Sequence, residues 1–289
     1  MIYKRIVKSL EVRFLTDSYF VKKEFKRRMG QSLDLKNPQS FSEKIQWLKL
    51  YYRNPILPKM VCKYESKKIV KDRVGKEYNM PTHSLFDRAQ DIKLDLLPNK
   101  VALKVTHGSG KNIISLNKSE LNEKEVQTFF KHALSKNYYL HSKEWAYKDV
   151  KPRVIVEQLV LEGDNQLPKD YKIHCFAGQP KFIEVDYQRY INHTRAYYDE
   201  AWNKLDFSHG KKPIHKEKIE KPESLGQMFE IAKKLSVGLP FLRVDFFYVN
   251  NKIYVGELTC YPGNGMEKFT DEKWDLKMGE CLKLPFQTF

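Results

Sequence analysis

Residues 242–264 read LRVDFFYVNNKIYVGELTCYPGN and carry the clearest structural pattern in the chain. It predicts two β-strands, Leu242–Val249 and Lys252–Thr259, because both segments are rich in β-branched and aromatic residues. The pair Asn250-Asn251 joins them, and asparagine tolerates the left-handed backbone conformation of a tight hairpin turn. We therefore expect a β-hairpin here.

Each strand of this hairpin carries one carboxylate among apolar neighbours, Asp245 on the first and Glu257 on the second. Buried ionised carboxylates are costly unless they are paired or bound to a metal, so the two suggest a divalent cation. With a plain two-residue turn Asp245 pairs with Gly256, and Glu257 falls on the opposite face of the sheet. An odd-numbered loop or a bulge brings both carboxylates to one face. The alternative is a pair of solvated edge residues.

The composition is that of a globular protein with an excess of positive charge. Its 289 residues are enough for two or three lobes, and 41% hydrophobic with 13% aromatic residues gives no sign of disorder. The formal net charge of +16 indicates a polyanionic partner. Nucleic acid, an anionic membrane surface, a nucleotide and an acidic polysaccharide all fit that charge, and composition does not choose among them.

The cysteines and the apolar runs bear on where the protein works. Four widely spaced cysteines without a C-x-x-C motif predict free thiols in a reducing compartment, with neither a zinc site nor disulfides. These are Cys62, Cys175, Cys260 and Cys281. No apolar run reaches the length of a signal-peptide core or a transmembrane helix. We expect a cytoplasmic protein.

The first 35 or so residues are basic and amphipathic, with lysines and arginines set among apolar residues. A helix of this kind can lie on an anionic membrane, which would place the protein peripherally on the inner face of that membrane. The alternative is a helical pair that packs on the body of the protein. Ser40 and Glu43 then form a capping-box sequence, which predicts the start of the next helix.

A glycine-containing loop, THGSGKN at residues 106–112, lies between the predicted strands Val101–Val105 and Ile113–Leu116. Glycines let the backbone approach an anion closely, and successive N–H groups in such a loop can cradle a phosphate. Lys104, in the strand before the loop, could place its ammonium on the same phosphates. The alternative is an ordinary hairpin loop with a solvent-reaching lysine, since the loop has neither the Walker A nor the Rossmann pattern.

Three further strands follow: Arg153–Val160, which contains Glu157, and a hairpin of Asp170–Ala177 and Pro180–Asp186 across Gly178-Gln179. In the first strand of the hairpin one face is polar, and it points either to solvent or to a cleft. That face carries Asp170, Lys172 and His174.

The loop after this hairpin, residues 187–195, carries two arginines and a histidine. Arg189, His193 and Arg195 could clamp a carboxylate or a sugar acid, because arginine binds carboxylates through two hydrogen bonds. Ordinary surface charge is the alternative.

In order, these features resemble an ATP-grasp fold, and the chain is similar to the TupA-like ATP-grasp family of bacterial surface-polysaccharide biosynthesis. The resemblance covers Ser40 to about Pro285. The segments that carry it are SFSEKIQWLKLYYRNP (40–55), LKVTHGSGKNI (103–113), KNYYLHSKEWAYKDVKPRVIVEQ (136–158), DYKIHCFAGQPKFIEVD (170–186) and LRVDFFYVNNKIYVGELTCYPGNGMEKFTDEKWD (242–275).

The resemblance implies an α+β protein in which two α+β lobes sandwich ATP. A basic helical N-terminal segment would occupy residues 1–40 and a region preceding the ATP-grasp lobes residues 41–100. The small lobe would then span residues 101–160, and the large lobe, with the metal hairpin, residues 161–289.

The resemblance also implies roles for particular residues. Lys104 would contact the ATP phosphates, and the loop of His107, Gly108, Ser109, Gly110, Lys111 and Asn112 would close over them. The backbone around Glu157, Gln158 and Leu159 would hydrogen-bond the adenine, with Glu162 or Asp164 as weaker candidates for the ribose. Magnesium would be held by Asp245 and Glu257. Thr259 stands where many ATP-grasp enzymes have an asparagine ligand, so Asn264 is an alternative third ligand.

Two residues are implied to act on the reacting groups. Lys172 would meet the γ-phosphate. Arg243 would stabilise the charge on the acyl phosphate, although we expect it on the opposite face of a regular strand from Asp245, from where it would need a twist to reach the site.

The sequence therefore predicts a ligase that uses ATP and Mg²⁺ to join a carboxylate to an amine through an acyl phosphate. The family implies that the carboxylate is a uronic-acid or amino-acid group of a surface glycan, contacted by Arg189, His193 and Arg195. The alternatives are a sugar or small-molecule kinase, a glycosyltransferase, and a basic nucleic-acid-binding protein. We do not expect nucleic acid as a partner.

Overall fold

The computed structural model describes residues 16–163, 165–188 and 192–285. The helices in these ranges are α1 (Asp17–Met29), α2 (Phe41–Tyr51), α3 (Leu57–Val61), α4 (Glu65–Arg73), α5 (Glu123–Leu134), α6 (Tyr138–Ser142), α7 (Leu225–Ser236) and α8 (Glu272–Cys281). The strands are β1 (Thr82–Phe86), β2 (Val101–Val105), β3 (Asn112–Ser115), β4 (Val154–Gln158), β5 (Asp170–Phe176), β6 (Gln179–Tyr187), β7 (Thr194–Tyr198), β8 (Lys204–Leu205), β9 (Phe241–Val249) and β10 (Lys252–Thr259).

These strands form two antiparallel sheets. The small sheet has the order β1-β4-β2-β3, and the large sheet has the order β10-β9-β5-β6-β7-β8. Helix α5 contributes Val126, Phe130 and Ala133 to the core of the small sheet. Helices α2 and α7 pack into the larger core, which belongs to the large sheet. The predicted α+β class is confirmed.

The β9–β10 hairpin turns at Asn250 and Asn251, whose φ angles of 50° and 59° are left-handed. Beyond the turn the register shifts at Gly256, where a β-bulge adds one residue to β10. Asp245 therefore stands opposite Glu257 instead of Gly256. Because directly opposite residues of an antiparallel pair lie on the same face, both carboxylates project to one side, as the metal hypothesis requires.

Three expectations about the strands were wrong. Arg243 lies on the same face as Asp245 and forms an ion pair with it, because residues two apart on a strand share a face. The β5–β6 turn consists of Ala177 and Gly178, with φ angles of 47° and 79°, and Gln179 already belongs to β6. The loop expected at residues 187–195 is also shorter than predicted, because Tyr187 belongs to β6 and both Thr194 and Arg195 belong to β7.

Other local predictions were confirmed. Ser40 caps α2 by accepting a hydrogen bond from the backbone N–H of Glu43, and the Glu43 carboxylate accepts from the Ser40 N–H in return. All four cysteines are free thiols. No helix within the described ranges is long and apolar enough to cross a membrane. The first 15 residues of the basic N-terminal segment lie outside the described residues.

Helix α8 packs closely against the start of α2. The Ser42 N–H donates to the Asp275 carboxylate (2.8 Å), and the Lys44 ammonium donates to the carbonyl of Gly279 (2.8 Å). A Cβ atom built on Gly279 would collide with the backbone carbonyl of Gln39 and come within 2.8 Å of the Phe41 nitrogen. Backbone atoms cannot move aside as the end of a side chain can, so this glycine is required for the contact between the helices.

We expect Gly279→Ala to destabilise the protein by about 1–3 kcal/mol, because overpacking against backbone outweighs the gain in helix propensity. Gly226→Ala in α7 is the matched control, since nothing lies within 4 Å of a Cβ atom built there. That change should be neutral or stabilise by up to about 1 kcal/mol. Urea unfolding of both variants measures the difference, and equal effects would contradict the close contact.

Candidate active site

A cavity lies between the small sheet and the β9–β10 hairpin of the large sheet, and its lining changes character along its length. One part is apolar and is lined by Met80, Ala102, Ile114, Leu159, Val160, Leu167 and Phe247. The other part is charged or polar and is lined by Lys63, Lys104, Asn112, Asp245 and Glu257, while Asp170 stands opposite Phe247 of the apolar part. Such a gradient suits a ligand with an aromatic base at one end and phosphates at the other.

Lys104 projects from β2 into this cavity but is not the lone cation that the sequence suggested. Its ammonium lies 2.8 Å from one oxygen of Glu157, and the ammonium of Lys67 on α4 lies 2.5 Å from the other. Burial alone would raise the pKa of Glu157, but Lys104 and Lys67 lower it below its ordinary value. The Glu157 carboxylate thus holds two lysines in place at the edge of the cavity.

Asp245 and Glu257 stand side by side at the polar end. Arg243 donates two hydrogen bonds of 2.7 Å to the Asp245 carboxylate, and Lys63 lies 3.2 Å from Glu257. Burial raises the pKa of Asp245 to about 6, although Arg243 lowers it. Lys63 also donates to the carbonyl of Gly108 (3.1 Å), so it links the glycine loop to the hairpin.

These two carboxylates fit a magnesium ion in part. Mg²⁺ is usually held by one or two carboxylates, with phosphate oxygens and waters completing its octahedron. Arg243 and Lys63 already lie against the pair, which shows that the site attracts cations. In the described part of the chain no three His, Cys, Asp or Glu side chains cluster closely enough to hold a metal by themselves. Asp245 and Glu257 would therefore share the ion with nucleotide phosphates.

Asn264, the alternative third ligand, is already hydrogen-bonded within the protein. Its side-chain oxygen accepts a hydrogen bond from the buried ammonium of Lys49, and its carbonyl accepts one from Gln46 (2.9 Å). A metal at Asn264 would therefore have to compete with Lys49 for this oxygen. Thr259 is nearer to the pair: it lies opposite Arg243, whose guanidinium donates to its hydroxyl (3.3 Å).

Lys172, in the middle of the large sheet, belongs to a buried ionic network. Its ammonium lies 3.1 Å from Glu184 and in closer contact with Asp186. Arg195 contacts the same carboxylates, at 3.0 Å and 2.7 Å, and His193 lies 2.9 Å from Asp186. Of the two alternatives for the polar face of β5, the structure therefore favours the cleft: Asp170 and Lys172 are both only 4% exposed, and each lines a cavity. Any contact of Lys172 with a phosphate would have to be made from within this network.

The network also changes the proposed carboxylate clamp. The Arg195 guanidinium does bind carboxylates, but they are those of Glu184 and Asp186 in the protein itself. To clamp a substrate, it would have to leave them. Arg189 lies outside the described residues, so only Arg195 and His193 can be placed. Both line a cavity of about 420 Å³, together with Lys172, His209, Lys212 and Arg243.

The glycine loop divides into a buried and an exposed part. His107 turns away from the cavity towards the carbonyl of Lys136 (3.1 Å), and burial lowers its pKa. Gly108 lies so close to Tyr138 that an added Cβ would be 3.2 Å from its ring. The remaining predicted loop contacts are solvent-exposed in this structure. These are Ser109, Gly110, Lys111 and Asn112.

The residues predicted near the nucleotide base lie at the end of β4. The Gln158 N–H already donates to the carbonyl of Pro81 (3.0 Å), whereas Leu159 lines the apolar part of the cavity. Glu162 forms a small turn by pairing with Gln166 and does not line this cavity. Asp164 lies outside the described residues.

Several residues of the site were missed from the sequence. Lys63 and Lys67 come from the helical region before the first strand, and no spacing pattern connects them to the hairpin. Glu184 and Asp186 could have been found, because they lie two apart in a strand that pairs with the polar face of β5. The signal was that charged or polar residues recur at every second position in both strands of that hairpin.

A family model described as TupA-like ATPgrasp matches residues 43–283. The chain belongs to the TupA-like ATP-grasp family. The match extends from the start of α2 to beyond α8, so both sheets and the hairpin with Asp245 and Glu257 fall inside it. The ATP-grasp fold predicted from the sequence is therefore confirmed. No curated protein matches the chain.

Solved structures of ligases are similar in part. D-alanine–D-alanine ligase from Helicobacter pylori is 18% identical with a TM-score of 0.43, and the match covers 86% of this chain and 70% of that one. The Bacillus anthracis enzyme is 19% identical with a TM-score of 0.42, covering 70% and 57%. The ATP-grasp ligase PsnB, complexed with minimal precursor, is 12% identical with a TM-score of 0.38, covering 76% and 59%. The chain thus spans less than two thirds of the last two ligases.

Proposed function

We propose that this member of the TupA-like ATP-grasp family is a Mg²⁺- and ATP-dependent ligase. It would activate a carboxylate as an acyl phosphate and join it to an amine. The carboxylate would belong to a uronic-acid or amino-acid group of an acidic surface glycan or of its precursor. The observation that carries this proposal is the bulge at Gly256, which sets Asp245 and Glu257 side by side at the charged end of an otherwise apolar cavity.

The cavity supports the nucleotide part of this proposal. The adenine would lie against the apolar lining and form hydrogen bonds with the backbone around Leu159. The N–H of Gln158 would not take part, because it already donates to the carbonyl of Pro81. Lys104 would bind the phosphates at the other end, with Lys63 nearby. A magnesium ion between the carboxylates and the phosphates would neutralise charge as the terminal phosphoryl group moves.

The charges beyond the carboxylates support the acceptor part. Two further cavities, of about 440 Å³ and 420 Å³, adjoin the proposed nucleotide cavity, and Arg243 lines both of them. Because it also lies next to Asp245, it would stabilise negative charge on the acceptor. Lys212 lines one of these cavities with Arg243 and would add a second positive charge towards an acidic acceptor. The net charge of +16 agrees with such a partner.

Transfer of an oxygen-18 label tests this function. We expect the purified protein to convert ATP to ADP and inorganic phosphate only when Mg²⁺, a carboxylate and an amine are all present. Glucuronate or galacturonate, labelled in the carboxylate, would be offered with a panel of amino acids. If an acyl phosphate forms, one labelled oxygen leaves with the phosphate, and phosphorus-31 NMR detects it. A kinase would instead keep the phosphoryl group on the product, and label-free phosphate would contradict the proposal.

A further inference from the structure

Beyond Asp245 and Glu257 lies a second chamber of about 440 Å³, which is also lined by Ser109 of the glycine loop, Lys172 and Arg243. The same two carboxylates line both cavities, so a molecule in this chamber would lie next to the metal pair. Its other walls come from the end of α1, from β5 and β9, from α6 and the segment after it, and from the end of β10 and the chain that follows it. These walls contain Tyr138, Glu144, Tyr147, Thr259 and Tyr261.

Glu144 is the unusual member of this lining. Glu144 is only 4% exposed to solvent. Within the described ranges, no lysine, arginine or histidine nitrogen lies within 4.0 Å of its carboxylate. The hydroxyl of Tyr138 donates to it at 3.4 Å, a long contact. A buried carboxylate without a close cation is costly, so this one is expected to have a ligand that supplies the charge.

Lys49 does not take that role. It is fully buried and its charge acts on Glu144, but its ammonium is hydrogen-bonded to the side-chain oxygens of Gln46 (2.8 Å) and Asn264. Burial raises the pKa of Glu144 to about 7, although Lys49 lowers it. A cation arriving from the chamber would therefore stabilise the ionised form of Glu144 directly.

The tyrosines beside Glu144 complete a site for such a cation. The rings of Tyr138 and Tyr147 meet edge to face, with centroids 4.8 Å apart, and both line the chamber. Aromatic faces attract ammonium groups, and this attraction is strongest where water is excluded. A carboxylate among aromatic rings recognises a protonated amine by charge and by ring contact at once.

We propose that Glu144, with Tyr138 and Tyr147, binds the protonated amino group of the amine donor. This assignment rests on the proposed ligase function and gives it a second substrate site, on the far side of Asp245 and Glu257 from the nucleotide. The donor is thereby a primary amine that enters the protein as an ammonium ion. Its nitrogen would be held next to the carboxylates at which the acceptor is activated. Transfer of one proton from the ammonium to the Glu144 carboxylate would free the lone pair that attacks the acyl carbon, and the departing phosphate would take the second proton.

The test measures ammonium binding without any turnover. Propylammonium serves as the probe and 1-propanol as its neutral counterpart, at about pH 8, where the amine is protonated and Glu144 is ionised. The full-length protein is used with Mg²⁺ and without nucleotide, and saturation-transfer NMR gives the Kd. We expect Glu144→Gln to raise the Kd of propylammonium at least about 10-fold, the loss of one charged contact, and to leave that of 1-propanol unchanged.

Glu267→Gln is the matched control, because Glu267 lines the same chamber and loses the same charge. It should leave the Kd of propylammonium unchanged. Glu144→Asp, which withdraws the carboxylate by one methylene, should give an intermediate Kd, and thermal unfolding of each variant verifies that it is folded. Absence of propylammonium binding in the wild type, or equal Kd values in the wild type and Glu144→Gln, would overturn the assignment.

Nucleotide binding separates this inference from the proposed function. Calorimetry with a non-hydrolysable ATP analogue reports on the other cavity and does not depend on Glu144. If the wild type binds the ATP analogue in the presence of Mg²⁺ but does not bind propylammonium, the amine site alone is rejected. Absence of nucleotide binding in the folded wild type would reject the ligase, whatever propylammonium does.

Discussion

Replacing Glu257 by glutamine is expected to lower ATP turnover at least about 100-fold, because a metal that neutralises phosphate charge contributes several kcal/mol to the transition state. The amide keeps the shape of the side chain but cannot supply its charge to a cation. Glu257 is only partly buried, with 31% of its side chain exposed, so the variant should fold normally.

Two measurements check this expectation. In calorimetry, Mg²⁺ should tighten the binding of an ATP analogue to the wild type and have little effect on Glu257→Gln. Glu125→Gln, an exposed glutamate on α5, is the control for loss of a negative charge and should behave as the wild type. Turnover by Glu257→Gln at the wild-type rate would remove the metal role of this hairpin.

Glu184→Gln is expected to cost about 3–5 kcal/mol of stability, the usual range for breaking a buried ion pair by removal of one partner. Glu184 contacts Lys172 at 3.1 Å and Arg195 at 3.0 Å and accepts a hydrogen bond from the hydroxyl of Tyr197 (2.9 Å). With the charge removed, the two buried cations would share only Asp186.

An exposed pair provides the comparison. Lys181 and Glu200 are 2.7 Å apart, with 43% and 48% of their side chains exposed, so Glu200→Gln should cost less than about 1 kcal/mol. Guanidinium unfolding of both variants gives the two values. Similar losses would show that the buried network contributes little to stability.

The dependence on pH gives this prediction a second check. Burial would raise the pKa of Glu184, but Arg195 and Lys172 hold it well below its ordinary value. A lowered pKa stabilises the folded state above the ordinary pKa of glutamate, and this contribution is lost as the pH falls towards the folded pKa. The difference between the wild type and Glu184→Gln should therefore persist at about pH 6 and shrink below about pH 4.

Much of the fold follows from local sequence patterns. Runs of apolar, β-branched and aromatic residues located β2 and β9, and the alternation of polar and apolar residues located β5, each to within about one residue; the asparagine pair located the hairpin turn. Ser40 and Glu43 marked the start of α2. These features are readable because each depends on neighbours in the chain: the period of a strand, the φ angles of a turn, and a cap three residues away.

The candidate site was only partly readable. The sequence picked out Lys104, Asp245 and Glu257, because a charged residue in an otherwise apolar strand is conspicuous. It did not connect Glu257 to Lys63, which lies 194 positions earlier. It also assigned Arg243 to the wrong face, although the distance of two residues from Asp245 was sufficient to place it correctly.

The sequence by itself determined the two strands of the hairpin, its turn, and the presence of one carboxylate on each strand. Only the tertiary structure decided that Asp245 and Glu257 face each other, because a single extra residue at Gly256 shifts the register, and both registers fit the sequence pattern. It also decided which charges are paired. Lys172 and Glu144 both line the chamber, yet Lys172 lies between two carboxylates, whereas no lysine, arginine or histidine nitrogen of the described ranges lies within 4.0 Å of the Glu144 carboxylate. That difference depends on how distant strands and helices pack, which no local pattern records.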